Sequence, residues 1–261
     1  MDLREQARLE HTVTDGVATV VISNPAKRNA MTADMWQDLP GLLERLAADR
    51  RVRVLVLTGA GDTFCAGADI TSLRDPGGRP QALAVQAEEA LAAFPRPTLA
   101  AVRGFCVGGG SQLAAACDLR FAEEGASFGV TPAKLGIVYP ASSTRRLVSL
   151  VGPAAAKFLL FSGELIGTER ALATGMVDEV LPAGGLEGRV RSFAQVLASR
   201  SQLTQAAAKE FADGREDRDA YWSEQARGSG DTAEGVAAFM ERRTPRFTWT
   251  TGPAGAAATA G

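Results

Sequence analysis

Apolar and β-branched residues alternate or run together over His11–Thr14 and again over Val17–Ile22, on either side of Asp15-Gly16, and this pattern predicts a β-hairpin. The period then changes from two to about 3.6. Met35, Leu39, Leu42, Leu43 and Leu46 predict one apolar helix face over Ala33–Ala48, capped by Thr32 and kinked at Pro40. Val52–Leu57 is a short β-branched run of the kind buried on both faces of a parallel sheet. Leu83–Phe94 reads as a helix stopped by Pro95 and Pro97, and Thr98–Val102 as the next buried strand. Ser111–Cys117 reads as a helix of small residues, followed by strands at Leu119–Ala122 and Val177–Leu181. Between those two strands Ser143–Leu150, Ala154–Phe161 and Thr168–Ala173 have helical spacing. Strands alternating with helices imply parallel crossovers and an α/β core.

The strand signal stops near Ser201, beyond which Leu203–Ala212, Asp217–Ala226 and Ala233–Arg242 read as helices. The expected division is a core over 1–200, a helical region over 201–247 and a flexible Gly/Ala/Thr-rich tail over 248–261. A chain of 261 residues, 46% hydrophobic and 22% charged, can bury a sizeable core, which excludes wholesale disorder. Twenty-eight basic against 30 acidic residues give a net charge of -2, so no global field draws in nucleic acid or an anionic membrane. Apolar runs such as Phe158–Phe161 fall far short of the ~18 residues of a spanning helix. With a charged rather than signal-like stretch at Met1–Glu10, a soluble cytoplasmic protein is expected.

Cys65, Cys106 and Cys117 form an odd set without a C-x-x-C pair, and read as small buried fillers rather than disulfide or zinc ligands. His11 is the single histidine and falls on a predicted strand, so a histidine-based triad or a multi-histidine metal site is not expected. Two glycine-rich loops are the remaining candidates. Gly59 and Gly61 follow a strand, but Phe64 stands where a dinucleotide fingerprint needs its third glycine. Gly104 and Gly109 have the spacing of a phosphate loop, yet Gly110 stands where its lysine must be. Both loops expose backbone at the end of a buried strand, and in the second Gly108, Gly109 and Gly110 approach a helix start whose first N–H groups are unpaired. Such a place stabilises a developing oxyanion; the same glycines also permit tight helix–strand packing, and the loop alone leaves both readings open.

The stretch Phe64-Cys65-Ala66-Gly67-Ala68-Asp69-Ile70, followed by Gly104-Phe105-Cys106-Val107-Gly108-Gly109-Gly110-Ser111-Gln112-Leu113-Ala114, closely resembles the two motifs of the enoyl-CoA hydratase/isomerase (crotonase) superfamily. Asn24-Pro25 through Asn29-Ala30-Met31, Phe128-Gly129 through Leu135-Gly136, and Glu234 through Arg243 extend the resemblance up to about Phe247. It implies an α/β fold, a crotonase-like ββα spiral core with a C-terminal helical region, assembled as a homotrimer or a dimer of trimers. It also implies an acyl-CoA thioester substrate and no separate cofactor or metal, coenzyme A being part of the substrate. The backbone N–H groups of Ala68 and Gly109 take the oxyanion-hole positions. Adenine is expected against Ala66 to Ile70, Asp69 included, with Lys27 and Arg28 as partners for CoA phosphates. Phe239 and Arg242 match positions that reach the CoA of a neighbouring subunit.

The family's hydratases use two glutamates. Gln112 stands at the first of these positions, and an amide cannot act as a general base. Counted without a gap from Phe128-Gly129, Pro132 occupies the second. Efficient two-glutamate hydration is therefore not expected. The stretch Thr131 to Tyr139 resembles the loop of the family's methylmalonyl-CoA decarboxylases, in which a tyrosine at the Tyr139 position contributes to the site, although those enzymes often carry histidine at the place of Ala68. Decarboxylation needs no base to form the enolate, and Tyr139 is a candidate proton donor. Hydration, isomerisation and decarboxylation thus stand open, as does a CoA-binding homologue without activity. Glu88 and Glu89 read as a solvated helix face, Ser142 and Ser143 as a helix cap, and Asp69 as a residue that holds its own loop.

Overall fold

The computed structural model describes residues 6–71 and 79–251. β1 (Arg8–Thr14) and β2 (Val17–Ser23) form the expected antiparallel hairpin, in which both Asp15 and Gly16 take positive φ, as a two-residue turn of this twist requires. His11 is exposed on β1. α1 (Ala33–Ala48) starts where Thr32 Oγ1 accepts a hydrogen bond from Met35 N, and it continues through Pro40 as one helix. β3 (Val54–Gly59) lies two residues later than the apolar run suggested, and β4 (Thr98–Val102) lies where it was expected. With β6 (Leu119–Glu123) and β9 (Glu179–Leu181) these strands form a six-stranded sheet in the order β1-β2-β3-β4-β6-β9, parallel throughout except for the hairpin.

A second, three-stranded sheet went unread in the sequence. It contains β5 (Phe105–Val107), β7 (Ser127–Gly129) and β8 (Ile166–Gly167), each only two or three residues long and too short to show a period. A parallel bridge between Cys65 and Cys106 extends it by one row. The order β4-β5-α3 (Gly109–Ala116), then β6-β7-α4 (Ala141–Ser162), gives the ββα turns of the expected spiral. α4 joins the two helices expected at Ser143–Leu150 and Ala154–Phe161 across a break at Gly152, with φ 76°, just before Pro153. α2 (Arg79–Ala92) and α5 (Thr168–Thr174) complete that side.

Both faces of the large sheet are buried, and the strands sort their side chains strictly by alternation. Leu55, Leu57, Ala100 and Val102 point into the main core with α1, α2 and α3. Val54, Val56, Leu99 and Ala101 point the other way, where α6 (Leu186–Ala198) covers them with Leu186, Val190 and Ala194. α6 was not expected from the sequence, although these residues recur every four positions. Its burial of Leu186 and Val190 contributes about 1.5–3 kcal/mol per side chain. α7 (Gln202–Ala212), α8 (Asp219–Ser229) and α9 (Asp231–Met240) follow, within three residues of the expected boundaries. The three cysteines are free and buried, and burial pushes the thiols of Cys65 and Cys117 up to about 12, in keeping with their reading as core fillers. Of the tail, residues 252–261 lie outside the described residues.

Candidate functional site

The loop after β3 is held by two buried asparagines. Asn29, in the left-handed region at φ 57°, donates from Nδ2 to the carbonyls of Ala60 (2.8 Å) and Thr63 (2.6 Å) and accepts from Asn24 N through Oδ1 (3.0 Å). Asn24 Nδ2 donates to Ala30 O (2.7 Å), so the Asn24-to-Met31 motif is a clamp on the loop. Met31 then receives the loop as a short parallel bridge: its N–H donates to Gly67 O and its carbonyl accepts from Asp69 N, both at 2.8 Å. In extended chain successive residues face opposite ways. Ala68, lying between the two bonded residues, therefore directs its own N–H away from Met31, and that group forms no hydrogen bond among the described residues.

The second loop is laced to the first. Cys65 N donates to Phe105 O (2.8 Å), and Val107 N donates to Cys65 O (3.0 Å). Gly108 follows at φ 55°, ψ -116°, a conformation that a side chain resists, and α3 begins immediately at Gly109. Its first internal bond runs from Gln112 N to Gly108 O (3.0 Å), which leaves the Gly109 N–H without an intrahelical acceptor. The two amides are neighbours: a Cβ placed on Gly109 would lie 3.5 Å from Ala68 N, and one placed on Gly67 would lie 3.6 Å from Gly109 N. Ala68 and Gly109 are both half-buried. Each glycine of the triplet has its own reason. A Cβ on Gly109 would meet Trp36 Cζ2 at 2.8 Å, and one on Gly110 would meet Cys65 O at 2.2 Å. Tight packing and two free amides thus occur together.

Gln112 lies three residues after Gly109, on the same face of α3. Its partners correct two expectations. Glu88 is 1% exposed rather than on a solvated face, and Ser143 is buried inside α4 rather than capping it; the residue at the cap position, Pro140, provides no side-chain hydrogen bond. Gln112 Nε2 donates to Glu88 Oε2 and to Ser143 Oγ (3.0 Å), Ser143 Oγ donates to Glu88 Oε2, and Arg146 Nη1 donates to Glu88 Oε1. Arg146 Nη2 reaches the exposed Glu89 at 3.2 Å. The physical reason is helical phase. Glu88 belongs to the stripe of Ala84, Ala87 and Leu91, and Ser143 to that of Leu147 and Val151. Placing each residue on its helix face, rather than judging it by polarity, is the signal that finds them.

Tyr139 is half-buried, and its hydroxyl forms no hydrogen bond among the described residues. Burial first, and then the neighbouring Glu88 charge, hold that hydroxyl above the usual phenol range, so it remains a proton donor. Pro132 opens a short 3₁₀ turn ending at Leu135, half-buried and without proton-transfer capacity. Lys27 and Asp69 form an ion pair at 2.6 Å, and Thr71 donates to Asp69 from both N and Oγ1. Burial works against the Asp69 charge, but Lys27 and Thr71 together hold its carboxyl below the usual range. Asp69 thus ties its own loop to Lys27 and Thr71. Arg28 is exposed, lies 5.0 Å over the Phe105 ring and accepts Ala66 N on its carbonyl. Ile70 is 65% exposed beside the loop. Phe239, 82% exposed on α9, and Arg242, just beyond α9, stand apart from this network, and the Arg242 guanidinium has no hydrogen bond or ion pair among the described residues. Those residues contain no group of three or more His, Cys, Asp or Glu placed to hold a metal, and no helix long and apolar enough to cross a membrane.

Comparison with known proteins gives a consistent family. The sequence profile of the enoyl-CoA hydratase/isomerase family matches residues 12–250. (E)-benzylidenesuccinyl-CoA hydratase from Thauera aromatica is 33% identical over 250 residues, covering 90% of this chain and 96% of the relative. Crotonyl-CoA hydratase from Syntrophomonas wolfei is 33% identical over 244 residues, covering 88% and 94%. Among crystal structures, an enoyl-CoA hydratase/isomerase family member superposes with a TM-score of 0.88 at 40% identity, covering 94% of this chain and 98% of its own.

Proposed function

The chain belongs to the enoyl-CoA hydratase/isomerase family, and on that footing we propose that it acts on an acyl-CoA thioester whose carbonyl oxygen is received by the N–H groups of Ala68 and Gly109. The single observation that carries this reading is the pair of neighbouring, half-buried amides, contributed by two separate loops, that have no acceptor among the described residues. When a proton or CO₂ leaves the α-carbon, the electron pair it leaves behind moves onto the thioester oxygen. A preorganised donor at that oxygen stabilises the transition state by typically about 2.7–4 kcal/mol. Gln112 and Tyr139 line the reacting end, and Arg28, exposed beside the first loop, is the proposed partner for CoA phosphates.

With an amide at Gln112 and a proline at Pro132, no facing pair of glutamates activates water, and rapid hydration lies outside this reading. Decarboxylation is a second reading, favoured by the protonated hydroxyl of Tyr139, unpaired among the described residues, as donor to the enolate carbon. The test is a mass-spectrometric panel of crotonyl-CoA, 3-enoyl-CoA and methylmalonyl-CoA in deuterated water. Turnover of at least one thioester should carry solvent deuterium into the acyl chain. Replacing the residue-68 amide with an ester, by lactic acid in place of Ala68, should slow it about 10²–10³-fold. No deuterium entry, or an ester that changes nothing, would overturn the reading. Crotonyl-CoA hydration at about 10² s⁻¹ or above would overturn the exclusion of a fast hydratase.

A further inference from the structure

Glu88, Ser143 and Arg146 were absent from the expected site, and together they fix which end of the Gln112 amide is offered to a ligand. Ser143 has one hydroxyl proton, and it is donated to Glu88 Oε2; toward Gln112 Nε2, 3.0 Å away, Ser143 Oγ is therefore an acceptor. The Glu88 carboxylate, bonded to Arg146 Nη1 on its other oxygen, is an acceptor as well. Both neighbours of Nε2 accept, so a reversed amide would place Oε1 against two oxygens. The observed orientation uses both Nε2 protons inside the protein. Gln112 Oε1 has no hydrogen bond among the described residues and is not sealed from solvent.

We propose that Glu88 is a positioning residue that locks Gln112 with its NH₂ group inward and Oε1 toward the reacting end. The site thereby selects a hydrogen-bond donor, a hydroxyl or a water, next to the acyl chain. This rests on the thioester reading above and deepens it: where a carboxylate on α3 would both accept and move a proton, the buried carboxylate on α2 leaves only an acceptor. Glu88→Gln would present a donor to Gln112, which then gains by turning its amide over and offering NH₂ instead.

The probes are 3-hydroxy-2,2-dimethylpropanoyl-CoA and 3-methoxy-2,2-dimethylpropanoyl-CoA, whose oxygens both accept a hydrogen bond while only the first donates one, and which lack the α-proton that elimination or enolisation needs. Their dissociation constants are measured by titration calorimetry. The wild type should bind the hydroxylated ligand about 10-fold tighter, on the scale of one hydrogen bond. In Glu88→Gln that ratio should fall to about one, because the turned NH₂ group donates to either ligand's oxygen. A merely structural role would weaken both ligands alike and leave the ratio unchanged, which overturns the proposal. Gln112→Met, close in size and without the acceptor, provides the same readout should Glu88→Gln not fold: collapse of the ratio supports the proposal and retention overturns it. Deuterium entry from the thioester panel separates the two failures. With entry intact, an unchanged ratio refutes the positioning role alone; without entry, the thioester reading fails and this inference with it.

Discussion

α3 carries one end of each half of the site: Gly109 opens it with a backbone amide, and Gln112, one turn on, joins the buried network of Glu88, Ser143 and Arg146. The first half is made of main chain. Its parts come from two short stretches, 64–69 and 104–112, whose conformation is dictated by glycines and by an asparagine clamp. The second half is made of side chains from α2, α3 and α4, with Tyr139 just before α4, and depends on how three helices face one another. Backbone chemistry is therefore tied to local sequence and tolerates little, whereas side-chain chemistry can be rearranged by exchanging which helix carries the carboxylate.

The largest expected effect falls on the backbone half. Gly110→Ala places a methyl 2.2 Å from Cys65 O, a backbone atom already bonded to Val107 N. Destabilisation at the upper end of the ~1–3 kcal/mol of overpacking is expected, together with loss of turnover, read from the urea midpoint at unchanged m-value. A variant as stable and active as the wild type would show that the two loops do not interlock as described. The side-chain half predicts a loss of activity without loss of fold. Tyr139→Phe should lower methylmalonyl-CoA decarboxylation about 10²-fold, within the range for a general acid, with the unfolding midpoint little changed. Full decarboxylation by this variant would remove Tyr139 as donor.

The sign of the pH dependence follows from burial and the Glu88 charge. Both favour the protonated phenol, so the donor is retained as pH rises through the usual phenol range of ~10. The alkaline limb of the wild-type rate profile should stay flat to about pH 10, and a fall beginning near pH 9 would contradict this. The smallest effect belongs to the loop's edge. Lys27 is about half exposed, so Lys27→Ala should change stability by no more than about 1 kcal/mol, and less at high salt. A larger loss would make the ion pair with Asp69 part of the scaffold of the hole rather than its margin.

Periods of 2 and 3.6 placed the hairpin, α1, β4 and the C-terminal helices, because long amphipathic segments carry many residues that agree with one another. β5, β7 and β8 escaped because two or three residues cannot display a period, and because their pairing is with strands far along the chain. Gly108 and Gly109 were legible for a different reason: a main-chain donor needs only a turn that leaves it unpaired, and glycine marks such turns, whereas Ala68 was indicated by the family resemblance of its loop. By itself the sequence determined the longer elements and the glycine turn that leaves the Gly109 amide unpaired, and its family resemblance pointed to the amide of Ala68. Tertiary structure alone decided that Glu88 is buried, that its carboxylate meets Gln112 rather than water, and hence which atom of that amide is left over. A side chain's polarity says what it can bond, whereas only the packing of α2 against α3 and α4 says what is within reach.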